Sequence, residues 1–189
     1  MGETLSITAA DGHSFNGYFA APDDRRGPSV LILQEIFGVN RHIRAVCDRF
    51  AEEGYFALAP DLFARLEAGV ELEYDDGGRD RGISLARRLN LDLALEDIRA
   101  ALTAVRVLPG ASGKAGVVGF CFGGRFAYLT AARTDVEAAV CYYGGGIENH
   151  AAEARAIRCP IMMHWGAEDA KKLLDEKLPT NECIPGWKR

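Results

Sequence analysis

The 189 residues suit one domain, 48% hydrophobic and 26% charged, with a formal net charge of −5. A chain of that size buries a core without disulfide staples. An acidic balance without Lys/Arg clusters argues against nucleic acid as a partner, and no apolar run reaches the roughly 20 residues of a membrane span. The five cysteines, Cys47, Cys121, Cys141, Cys159 and Cys183, include no CxxC pair. That spacing supports neither a zinc site nor a dithiol redox motif, and free thiols point to a reducing cytoplasm. The N-terminus carries neither the basic start nor the apolar stretch of a secretory signal.

In chain order, Thr4–Ala9 and Phe15–Ala20 alternate apolar and polar residues around Asp11-Gly12, which predicts two strands joined by a turn. Val30-Leu31-Ile32-Leu33 is a continuous apolar run, the pattern of a strand buried on both faces. Asn40 is placed to cap a helix through Ile43, Val46 and Phe50 that ends at Gly54. Tyr55–Ala59 forms the next short strand. Asp61–Asp80, with Asp75-Asp76-Gly77-Gly78 inside it, reads as an irregular surface excursion. Leu91, Leu95, Ile98, Leu102 and Val105 step at helical spacing up to Pro109-Gly110. Then follow a strand (Ala115–Phe120), a helix (Gly124–Arg133), a strand (Ala138–Tyr142), a helical piece (Ala151–Ile157) and a last strand (Ile161–His164). Alternating strands and helices predict an α/β fold, a mostly parallel sheet with helices on both faces.

The sharpest chemical signal is Gly119-Phe120-Cys121-Phe122-Gly123-Gly124, which follows an apolar strand and opens a helix. That is the setting of a nucleophile elbow, with cysteine as the nucleophile. Glycines two residues before and after Cys121 relieve the crossing of strand and helix. The helix N-terminus favours a thiolate, and the Phe122 amide is one oxyanion donor. A second segment, Gln34-Glu35-Ile36-Phe37-Gly38-Val39-Asn40, follows the first buried strand. The Ile36 amide can supply a second oxyanion donor there, and Glu35 can exchange a proton with the thiol. A third, Ile161-Met162-Met163-His164-Trp165-Gly166-Ala167-Glu168-Asp169, delivers Asp169 after the nucleophile, the chain order of a Cys–Asp–His triad.

Together with Pro60-Asp61-Leu62 and Tyr142-Tyr143-Gly144, these segments resemble the dienelactone hydrolase family, carboxymethylenebutenolidase-like members of the α/β-hydrolases, over residues 1 to about 170. The resemblance implies an α/β-hydrolase fold and a small lactone or ester as substrate, with no metal or organic cofactor. It implies Cys121 as nucleophile, Asp169 as the residue orienting a histidine, and Glu35 as holder of the thiol proton in the resting enzyme. It implies Ile36 and Phe122 as oxyanion donors, Arg79 on a substrate carboxylate, and Tyr143 lining the pocket. The family's histidine follows the aspartate in a Gly-His-x-Phe context. The four histidines here, His13, His42, His150 and His164, all precede Asp169. The expectation is therefore a hydrolase domain over residues 1–170 lacking its last strand and helix, with residues 171–189 as an off-pattern tail. His164 and His42 are the substitute bases to weigh. Two rival readings stand beside the hydrolase: a non-catalytic member binding small carboxylates or partners, and a thiol-redox or thioesterase-like protein with Cys141 as resolving cysteine. Nothing in the sequence sets an oligomeric state.

Overall fold

A computed structural model describes residues 2–166. Asp169 and residues 171–189, which the sequence reading singled out, lie outside the described residues. Among the described residues seven strands form one sheet: β1 (Glu3–Thr8), β2 (Ser14–Ala20), β3 (Gly27–Leu33), β4 (Phe56–Pro60), β5 (Ala111–Phe120), β6 (Ala138–Tyr142) and β7 (Ile161–His164). Their order is β1-β2-β4-β3-β5-β6-β7; the β1–β2 and β2–β4 pairs are antiparallel and all others parallel. The helices are α1 (Arg41–Glu52), α2 (Asp76–Arg88), α3 (Leu91–Arg106) and α4 (Phe122–Arg133). Among the described residues no helix is long and apolar enough to cross a membrane.

The central strand shows why its sequence is unbroken hydrophobe. Val30 and Ile32 pack with Ile43, Val46 and Cys47 of α1 on one face. Leu31 and Leu33, at the alternate positions, join Leu95, Ile98 and Leu102 of α3 and Phe126 of α4 on the other. Asn40 caps α1 as predicted, its Oδ1 accepting the Ile43 N–H at 3.2 Å. Asn40→Ala is expected to lower stability by about 1 kcal/mol, read as a lower urea midpoint at unchanged slope.

The excursion after β4 is more ordered than its composition suggests. The buried Asp61 carboxylate accepts the Phe63 and Gly69 amides at 3.0 and 2.7 Å. Arg65 places Nε and Nη2 on the buried Asp97 of α3 at 2.8 and 2.7 Å. The reading of Asp61–Asp80 as irregular is corrected from Asp76 onward, where α2 begins. Asp75 Oδ1 accepts the Gly78 N–H at 2.7 Å, so the Asp-Gly cluster starts a helix instead of turning the chain. The helical period was invisible because α2 buries little: only Gly82 and Leu85 are inside. The helical piece before β7 is a 3₁₀ segment, Ile147–Ala156, interrupted at His150.

Candidate active site

One residue, Cys121, separates β5 from α4. It has φ +52° and ψ −115°, a left-handed conformation that costs an L-residue about 1–3 kcal/mol. The surroundings hold it there. Its amide donates to the Tyr142 carbonyl of β6 at 2.9 Å, and its carbonyl accepts from the Gly124 amide at 2.9 Å. The glycines are steric requirements. A Cβ on Gly119 would sit 2.0 Å from the Gly123 carbonyl oxygen, and one on Gly123 would sit 2.2 Å from the Leu33 carbonyl oxygen. Strand, turn and helix thus cross more closely than side chains permit, which lifts Cys121 to the carboxyl ends of the parallel strands.

The thiol is partly buried. Loss of solvation pushes its pKa up, and the Glu35 charge adds to the rise; the Phe122 N–H and the Arg125 guanidinium oppose it. The net effect favours the neutral thiol over the thiolate.

Glu35 follows β3. Its carboxylate accepts hydrogen bonds from the Tyr74 hydroxyl at Oε2 and from the Tyr143 hydroxyl at Oε1, the latter at 3.4 Å. Among the described residues no hydrogen bond joins Glu35 to the Cys121 sulfur. Burial, with the Glu35 charge contributing, pushes both phenols up to about 12, so they stay donors at neutral pH. Tyr143 itself adopts φ +40° on the loop after β6, its amide donating to the His164 carbonyl at 2.7 Å.

The loop carrying Glu35 and Ile36 is fixed by close backbone contacts. Gly82 of α2 lies against the Ile36 carbonyl, where a Cβ would come within 2.3 Å of the oxygen. Gly38, at φ +80°, packs on Val70 so tightly that a Cβ would meet its carbonyl oxygen at 1.8 Å. The Leu72 amide donates to the Phe37 carbonyl at 2.9 Å. Beneath the loop, buried Gln34 accepts the Leu62 amide through Oε1 at 3.1 Å. No described residue accepts a hydrogen bond from the Ile36 N–H, which leaves that donor free for an oxyanion.

The remaining candidates separate by environment. Arg79 is exposed on the first turn of α2 and makes no side-chain hydrogen bond to a described residue. His164 stacks on Tyr142 at 4.6 Å between ring centroids, Tyr142 on Phe120 at 5.0 Å, and His42 meets the edge of Phe120 at 6.0 Å. His164 thus ends, and His42 flanks, an aromatic row across β5, β6 and β7, and both residues are exposed. Cys141 is wholly buried on β6 and its thiol is pushed far up by desolvation, which makes it a poor resolving partner.

Two residues that bear on Cys121, directly or through Glu35, escaped the sequence reading. Tyr74 was lost in the excursion treated as surface. Arg125 stood out only as a charge inside an otherwise apolar helix. Its guanidinium lies over the rings of Phe122 and Phe126, at 5.6 and 5.7 Å from their centroids, and its buried Nε has no hydrogen-bond partner among the described residues. Burial lowers its pKa, against the neighbouring Glu148 and Cys121 charges. Arg125→Met keeps the aromatic packing and removes the cation. It is expected to shift the pH profile of Cys121 alkylation upward and to slow alkylation at pH 8 roughly threefold.

Comparison with known proteins places these features. The profile of the Dienelactone hydrolase family matches residues 15–181. The carboxymethylenebutenolidase of Pseudomonas putida is 36% identical over 189 residues, covering 96% of this chain and 80% of that protein. Carboxymethylenebutenolidase 1 of Cupriavidus pinatubonensis is 31% identical over 191 residues, covering 97% and 82%. Among solved structures, a dienelactone hydrolase-like promiscuous phosphotriesterase from metagenomic libraries superposes with a TM-score of 0.70 at 25% identity, covering 93% of this chain and 76% of that one.

Proposed function

The chain belongs to the dienelactone hydrolase family, and from that premise we propose that it cleaves a small lactone or ester through a covalent intermediate on Cys121. The observation that carries this reading is the left-handed turn at Cys121, held by glycine crossings at the mouth of the sheet. A strained backbone at a partly exposed cysteine supports a reading in which the sulfur meets a ligand.

The proposed sequence begins when bound substrate brings the Glu35 carboxylate onto the sulfur, where it takes up the thiol proton. The thiolate attacks the carbonyl carbon, and the carbonyl oxygen takes up the negative charge between the Ile36 and Phe122 amides. Collapse breaks the C–O bond, the leaving alkoxide takes up a proton, and an acyl group remains on sulfur. Water then releases the acid, assisted by a base that Asp169 orients. Arg79 and Tyr143 are the proposed contacts to the substrate's polar groups. None of the four histidines follows Asp169, so deacylation is the step to which these 189 residues assign no base.

The names of the relatives suggest a butenolide-type lactone as substrate. The test is hydrolysis of p-nitrophenyl acetate and of a dienelactone by the chain and by Cys121→Ala. Equal rates from the two proteins, for both compounds, would sink the reading.

A further inference from the structure

We propose that Tyr74 is a positioning residue for Glu35: its hydroxyl engages the carboxylate, and so sets how readily the Cys121 thiol ionises. The inference rests on the reading of Cys121 and Glu35 given above.

The geometry is that of a strap reaching back over the site. Residues 70–74 are fastened to the Glu35 loop at several points. Gly38 packs on the Val70 carbonyl, Gly38 and Glu71 form an antiparallel bridge, and the Leu72 amide bonds the Phe37 carbonyl. Arg44 of α1 pairs with Glu71 and anchors the strap from its other side. Beyond these fastenings the Tyr74 ring lies on Phe37 at 4.4 Å between centroids, and its hydroxyl ends on Glu35 Oε2. The other carboxylate oxygen is met by Tyr143 from the far side of the site, at the longer distance of 3.4 Å. Tyr74 is 57% exposed, so burial of its ring explains little about its placement. The hydroxyl-to-carboxylate bond, a charge-assisted one, is the contact that the strap's path delivers.

The consequence follows from the position of the charge. A carboxylate turned toward the thiol accepts its proton in a hydrogen bond and repels the thiolate, so both effects favour the protonated sulfur. A carboxylate engaged by two phenols has its charge spread away from the sulfur. The other charged or titratable groups bearing on Cys121 are Arg125 on α4 and Tyr143 after β6, with Glu148 of the 3₁₀ segment acting on Arg125. Tyr74 bears on the sulfur by way of Glu35: its hydroxyl meets the carboxylate, with the Asn40 side chain and Tyr143 as its other polar neighbours, and it makes no hydrogen bond to the elbow among the described residues.

Iodoacetamide alkylation of Cys121 as a function of pH tests this, with labelling located by peptide mass spectrometry. Tyr74→Phe keeps the ring on Phe37 and removes only the hydroxyl. It is expected to move the alkylation profile to higher pH and to slow labelling at pH 8 about threefold or more. In a Glu35→Gln background the same substitution is expected to leave the profile where Glu35→Gln alone puts it. No shift, a downward shift, or an equal shift in both backgrounds would overturn the proposal. Alkylation reads the thiol whether or not the chain turns over an ester. A profile that behaves as expected beside a Cys121 that accepts no acyl group would remove the hydrolase reading and leave the Tyr74 contact standing.

Discussion

Replacement of Cys121 by alanine is expected to lower kcat/KM on p-nitrophenyl acetate by at least about 10³-fold and to abolish covalent capture of the acyl group. The size of the effect follows from what the residue does in the proposed reaction. The amides of Ile36 and Phe122 survive the substitution and retain some electrostatic stabilisation, but without sulfur there is no bond to make. The parent chain makes the sharper measurement. A chain of these 189 residues carries no histidine after Asp169, and for it acylation is expected to outrun deacylation. Mixing should then release close to one equivalent of nitrophenolate in a burst, followed by slow turnover. Intact-protein mass spectrometry should show one added acyl group, and digestion should place it on the peptide holding Cys121. A burst of unchanged amplitude in Cys121→Ala would remove this residue from the chemistry. The pH dependence has a definite sign. Burial and Glu35 raise the Cys121 pKa, so the burst rate should increase with pH through neutrality and toward the alkaline side, following the thiolate.

The second large effect concerns the crossing beneath Cys121. Gly123→Ala places a methyl group 2.2 Å from the Leu33 carbonyl oxygen and 2.6 Å from that of Gln34. Both are backbone atoms at the end of the central strand, so no rotamer change can relieve the contact; β3 or α4 must shift. A loss of about 3 kcal/mol is expected, at the upper end of the usual cost of overpacking. Urea denaturation would record it as a lower midpoint with little change in slope. The same displacement moves the Glu35–Ile36 loop relative to Cys121. Burst rate should therefore fall even at temperatures where the variant remains folded. A Gly123→Ala protein with parental stability and burst would show that the approach of α4 to β3 is looser than described.

Much of this architecture was legible in the sequence because its signals are local. Val30–Leu33 announced a doubly buried strand, Asn40 a cap, and the glycines around Cys121 a close crossing, and the sheet, helix and elbow follow. The carboxyl-end position of Glu35 followed from the buried strand it succeeds, whereas Tyr143 entered only through the family resemblance. What stayed hidden depended on contacts between distant segments or on weak periodicity. Helix α2 buries too little to leave an apolar stripe, and its glycines are there to approach the Glu73 and Ile36 carbonyls, which sequence alone reads as turning. Tyr74 has no motif of its own; it matters because the strap delivers its hydroxyl to Glu35. Arg125 is a single charge whose meaning comes from two phenyl rings and a nearby sulfur.

The contact between Tyr143 and Glu35 joins residues 108 positions apart, and the sheet joins Leu33 to Gly119 in the same region. Folding by way of such long loops is slow, because chain entropy is lost before the contacts that reward it can form. The β1–β2 hairpin and the helices need only neighbours in sequence. The reactive centre, in contrast, can exist only after the chain has closed on itself across more than half its length. The chemistry of Cys121 is thus among the last properties this protein acquires as it folds, and among the first it loses when the sheet opens.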